Sequence, residues 1–149
     1  MTEPEWLHTI PVVPVAAPRQ TRRDSWKPSP AVQRYRSFKD AVMQHLREQR
    51  LNPSTLLPDS MLLVFNLPVP PSWSHRKKQA HIARPHRQKP DIDNLTKALL
   101  DTLYGSQNSQ SKGDQHHWDV RAIKLWTGER NGSIEIWRIP PFTGLDLSD

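Results

Sequence analysis

The sequence predicts an α/β chain of the α+β type: a single domain with a small mixed β-sheet and two main helices. Three observations predict this. The length of 149 residues suits one domain with a modest core. Two stretches, 30–50 and roughly 93–104, space their apolar residues as helices do, and four others have strand length or alternation. Their order is strand, helix, strand, helix, strand, strand, with no internal repeat. One domain spanning residues 1–149 is expected, with 1–5 and 140–149 as flexible tails.

Residues 6–15, WLHTIPVVPV, suit a strand, but their prolines confine it to a sheet edge or an arm. Residues 17–36 read as a proline- and arginine-rich loop in which Arg19, Arg22, Arg23, Lys27, Arg34 and Arg36 face one acid, Asp24. Val32, Tyr35, Phe38, Val42, Met43 and Leu46 then recur at helical spacing until LNPS ends the helix. Residues 61–67 form a short apolar run of strand length, broken by PVPPSWS. Residues 73–89 carry six Lys or Arg, three His and no acid, and read as a loop. Leu95, Ala98, Leu99, Thr102 and Leu103 make one helix face that stops at Gly105, and SQNSQSKG follows as a polar loop. Residues 118–126 and 133–139 alternate as strands, with Trp118, Trp126 and Trp137 expected in the core. The TGERNG between them contains Asn131-Gly132, a hairpin signal.

Composition narrows the function. Net charge is +6 and the pI is about 10.0, which favours a polyanionic partner such as nucleic acid. Mean hydropathy is −0.75, so the surface is polar. The absence of cysteine excludes disulfides and thiolate zinc sites. No apolar run approaches the roughly 20 residues that span a membrane, and the N-terminus lacks a signal-peptide layout. An intracellular, cytoplasmic, DNA-associated protein is expected.

The most informative stretch is KPDIDNLTKALLD, where a basic run gives way to Asp91 and Asp93. In extended chain this spacing puts both carboxylates on one face. Pro90 favours an extended approach, and the helix is expected to start at about Asp93 or Asn94, with aspartate as its N-cap. A phosphate would find backbone donors there, and a hard divalent ion would find oxygen ligands. Lys97, four residues after Asp93, lies on the same helix side and can reach the same phosphate. The plainer alternative is that Asp93 only caps and Lys97 only pairs with Asp101. Two other uses of DID fail. A calcium loop needs an oxygen ligand where Leu95 stands, and a phosphatase motif should follow an apolar strand rather than RQKP. A two-ion phosphodiesterase needs several carboxylates, and Asp114 and Asp119 are the next candidates.

KPDIDNLTKALLDTL followed by DQHHWDVRAIKLW resembles the RusA-type Holliday junction resolvases (crossover junction endodeoxyribonucleases), small metal-dependent DNA endonucleases. PPSWSHRKKQ upstream is similar to that family's basic loop, and the clear similarity covers roughly residues 61–139. The resemblance implies that Asp91, Asp93 and Asp114 bind Mg2+, with Mn2+ as a substitute, and that Lys97 is the essential lysine. It implies action on four-way junctions in DNA recombination and repair. Two symmetry-related cuts call for a homodimer. Arg76, Lys77, Lys78, Arg84, Arg87 and Lys89 are the expected DNA contacts. Lys112-Gly113-Asp114 departs from the family, which usually has an acid doublet after an aromatic residue at this turn, so Asp119 is the fallback third carboxylate.

Two other readings stay open: a non-catalytic basic DNA-binding module with Asp91 and Asp93 as a helix cap, and an RNA-binding protein that prefers single-stranded or A-form RNA. His75, His81 and His86 are read as phosphate contacts or solvated side chains rather than metal ligands. Trp73 is either a base-stacking residue or a loop anchor.

Overall fold

The protein is described by a computed structural model covering residues 3–105 and 117–144. In chain order the elements are β1 (Glu5–Ile10), a 3-10 turn (Arg22–Ser25), α1 (Pro30–Glu48), α2 (Pro53–Leu56), β2 (Ser60–Pro68), α3 (His75–His81), α4 (Ile92–Tyr104), β3 (Asp119–Thr127) and β4 (Ser133–Arg138). The sheet order is β1-β4-β2-β3. Among the described residues only β2 and β3 pair in parallel, with α4 in the crossover between them. The other neighbours are antiparallel. The expected α+β domain with a small mixed sheet is what forms.

Alternation along β2 sets the core. Met61, Leu63, Phe65 and Leu67 are buried together with Ile134 and Ile136 of β4 and Ile10 of β1. The same cluster takes in Tyr35, Phe38, Val42 and Leu46 of α1 and Leu95, Ala98, Leu99 and Leu103 of α4. Both long helices therefore cover one face of the sheet. Phe65 is fully buried at its centre, and Phe65→Ala is expected to cost about 3–5 kcal/mol.

Local chemistry explains where α1 starts and stops. Ser29 Oγ accepts a hydrogen bond from the Val32 amide at 3.2 Å, and Pro30 fills the first helical position, where a missing N–H costs nothing. At the other end Arg50 has φ of 56°, and Leu51 N–H closes onto the Leu46 carbonyl at 2.9 Å. This is a Schellman closure with arginine where glycine is usual.

Three expectations need correction. The hairpin expected at Asn131-Gly132 is absent, because β3 and β4 lie on opposite sides of β2. The glycine serves a different purpose: its φ is +62°, and a Cβ there would stand 2.5 Å from the Asn66 carbonyl oxygen of β2. The chain needs it to cross the end of the central strand. Residues 73–89 are not all loop, since α3 forms with Ser74 Oγ accepting the Lys77 amide at 3.2 Å. Its apolar spacing is too short to announce a helix. Trp118 is 56 % exposed rather than core, because β3 is an edge strand and among the described residues no strand lies beyond it.

Candidate functional site

The free edge of β3 is covered by the basic segment. Ala83 N–H donates to the Trp126 carbonyl (2.8 Å), Trp126 N–H to that of Arg84 (3.0 Å) and His86 N–H to that of Lys124 (3.0 Å). An exposed strand edge is thereby satisfied by the run that carries six Lys or Arg and no acid. His86 is buried with its ring 4.0 Å from that of Trp126, so it is neither solvated nor a phosphate contact. Burial first, and the Lys124 charge second, hold its pKa below the ordinary histidine value. Trp73 packs 5.0 Å from Trp126 and 4.7 Å from His81, with Lys77 Nζ 4.3 Å from its centroid. It is a loop anchor. Arg76, Lys77, Arg84, Arg87 and Lys89 are exposed, and Lys78 is half-buried.

Lys124 ties this segment to the aspartates. Its ammonium donates to the carbonyls of Gln88 (2.6 Å) and Pro90 (2.7 Å), on either side of the cis Lys89–Pro90 peptide. In the sequence Lys124 stands out only as a lysine in line with Ala122 and Trp126 on one face of the strand pattern.

Helix α4 begins at Ile92, two residues earlier than the upper limit expected. Asp91, not Asp93, holds the N-cap position, and its side chain makes no capping hydrogen bond. Asp93 lies in the first turn, where its Oδ1 accepts the Asn94 amide at 2.9 Å. With Asp93 inside the helix, the two aspartates do not share a face of extended chain. Both carboxylates are exposed. Lys97 Nζ is 2.7 Å from Asp101 Oδ2, with both side chains well exposed. Tyr35 of α1 lies against this pair. Its pKa is raised, first by burial and then by the Asp101 charge, with Lys97 opposing.

Asp114 lies outside the described residues. Asp119 is committed elsewhere: its Oδ2 accepts the Phe142 amide at 3.0 Å, and it begins β3 opposite Ser60 at the start of β2, on the sheet face away from Met61. Among the described residues no group of three or more His, Asp or Glu side chains is placed to hold a metal ion. No helix among them is long and apolar enough to cross a membrane.

The class these features define is a small basic α+β domain that presents an exposed carboxylate pair beside a cation-rich sheet edge. The sequence pattern described as Endodeoxyribonuclease RusA matches residues 10–137. The chain belongs to the RusA endodeoxyribonuclease family. No curated protein matches it.

Proposed function

We propose that this chain is a divalent-metal-dependent endonuclease that resolves four-way DNA junctions as a two-fold dimer. Family membership supports nuclease action, and one observation supports the site: Asp91 occupies the N-cap without capping. An N-cap aspartate ordinarily accepts an amide of the first turn, worth about 1 kcal/mol. Here the carboxylate forgoes that bond and stays exposed, which is what a ligand position requires. It also weakens the reading of Asp91 as a helix cap alone.

Hard oxygen donors at a helix N-terminus suit Mg2+. Asp91 and Asp93 would hold it, with Asp114 as the third carboxylate. When bound, the ion supplies positive charge at the scissile phosphate and a more acidic water. The chain's own residues do the rest. Lys124 fixes the approach to Asp91 through two carbonyls. Arg76, Lys77, Lys78, Arg84, Arg87 and Lys89 hold phosphates without reading sequence. Lys97 adds positive charge where the transition state becomes more negative. Its exposed pair with Asp101 is weak enough for a phosphate to displace, at no more than about 1 kcal/mol.

The test is cleavage of a synthetic four-way junction with and without Mg2+. Asp91→Asn, Asp93→Asn and Asp114→Asn are expected to abolish cutting and to keep or tighten junction binding, because each removes negative charge near phosphates. Asp119→Asn is expected to retain cutting. A folded wild-type protein that leaves junctions intact at every metal concentration would overturn the proposal.

A further inference from the structure

The second arginine-rich segment, 19–27, starts from a point tied close to the carboxylate pair. Ala17 N–H donates to the Asn94 carbonyl at 3.0 Å, and Asn94 directly follows Asp93. Arg19 is two residues further on, within about 7 Å of Ala17 along the chain. Beyond it the chain folds into the 3-10 turn around Asp24. Thr21 N–H donates to Asp24 Oδ2 at 2.7 Å, Ser29 N–H donates to Oδ1 at 3.0 Å, and Arg36 donates to the Asp24 carbonyl at 3.0 Å. Asp24 is buried, and these amides, Thr21 first, hold its carboxyl below the usual range.

The only acid of residues 17–36 is thus consumed by backbone amides rather than by its arginine neighbours. Arg19, Arg22, Arg23 and Lys27 are exposed, and among the described residues none of them makes an ion pair. A recess of about 360 Å³ opens between Arg19, Arg23, Lys27 and Ser29, with Asp24 also lining it. Trp26, between the arginines and Lys27, is 70 % exposed. Clustering like charges in one turn is unfavourable unless a polyanion offsets it. An exposed indole among cations is the pairing that single-stranded nucleic acid uses, phosphates on the cations and a base on the ring.

We infer that residues 19–27 form a second DNA site: the recess takes a backbone phosphate of the strand running from the carboxylate pair, and Trp26 stacks on a base left unpaired at the branch. This rests on the nuclease reading for the strand's course. The site itself needs only DNA binding. An acid spent on shaping the turn, rather than on neutralising it, separates this segment from an ordinary solvated charge run.

The experiment is a metal-free titration of a fluorescent four-way junction between about 50 and 200 mM salt, the range over which phosphate contacts dominate. The combined variant Arg19→Gln, Arg22→Gln, Arg23→Gln, Lys27→Gln is expected to lower the salt slope by at least about one unit, for the phosphate held in the recess, and affinity by at least ten-fold at about 100 mM salt. The four-lysine counterpart, which replaces only the arginines with lysine, keeps the slope. Trp26→Ala lowers affinity roughly five-fold or more with the slope unchanged, since an indole neutralises no phosphate. An unchanged slope in a folded glutamine variant overturns the phosphate site, and unchanged affinity in Trp26→Ala overturns the stacking. A wild-type protein that binds junctions without cutting them fells the nuclease reading alone, and the slope comparison still decides this site.

Discussion

Lys97 and Lys124 are two lysines with opposite commitments. Lys97 sits in an exposed i,i+4 pair with Asp101, whose loss costs only about 0.3–0.5 kcal/mol. A stabiliser of transition-state charge is worth far more in rate than such a pair is in stability. Lys97→Ala is therefore expected to lower kcat by about 10²-fold while the urea midpoint barely moves. Single-turnover cleavage beside a denaturation curve checks this, and a near-normal rate would return Lys97 to a surface pair. Lys124 touches no phosphate in this scheme. It holds the Gln88 and Pro90 carbonyls and acts through Asp91, which follows them. Lys124→Met is expected to raise the Mg2+ concentration needed for half-maximal cleavage and to speed amide exchange at residues 87–91. A merely structural lysine would lower the melting temperature and leave the metal requirement unchanged.

At the scale of elements, the edge segment Ala83–His86 depends on an imidazole that must stay neutral. His86 is buried against Trp126, with Nδ1 accepting the Gln88 amide at 3.4 Å and the Lys124 charge close by. Its folded pKa lies below 6.5, the value the unfolded chain keeps. Above 6.5 both states are neutral and nothing changes with pH. Below it the unfolded chain takes up a proton that the folded one refuses, so stability falls until the depressed folded pKa is passed. His8 of β1 behaves in the same sense, lowered by burial and then by His45, whose Nε2 lies 2.9 Å from its own. The melting temperature is expected to drop as the pH falls below about 6.5, and His86→Gln to remove part of that drop. Equal pH dependence in the variant would place the sensitivity in His8 rather than His86.

For the molecule as a whole, charge decides how DNA is held. In the proposed reading, a net +6 on a polar surface supplies long-range attraction, and exposed cations on α3 and the edge segment supply the local contacts. Each neutralised residue among Arg76, Lys77, Lys78, Arg84 and Arg87 that meets a phosphate is expected to lower the salt slope of junction binding by about one unit. Salt titrations of the single and combined variants measure this. An unchanged slope with all five neutralised would remove this edge from the DNA. The proposed two-fold dimer belongs to this scale as well: one domain with one site cuts one strand, and symmetry supplies the second. Sedimentation of the protein with and without junction DNA reports it.

The sequence by itself determined where the long elements lie and where the candidate carboxylates stand. Period and alternation located α1, α4 and β2 within a few residues, and DxDN beside a basic run marked the carboxylates, because both are properties of neighbouring residues. What only the tertiary structure decided are the relations between distant segments. The Asn131-Gly132 turn has the local chemistry of a hairpin, yet β4 leaves β3 and pairs across β2, where its apolar residues join a better-covered core. Asp91 rather than Asp93 takes the cap position, because Lys124, more than thirty residues away, holds the preceding carbonyls. His86 belongs to the interior because Trp126 offers its ring on the edge strand. The chain leading into the Arg19–Lys27 turn is tied beside the aspartates by one backbone bond, Ala17 to Asn94. Sequence spacing carries no information on such contacts, since the free energy of each depends on which surfaces meet after the chain has folded.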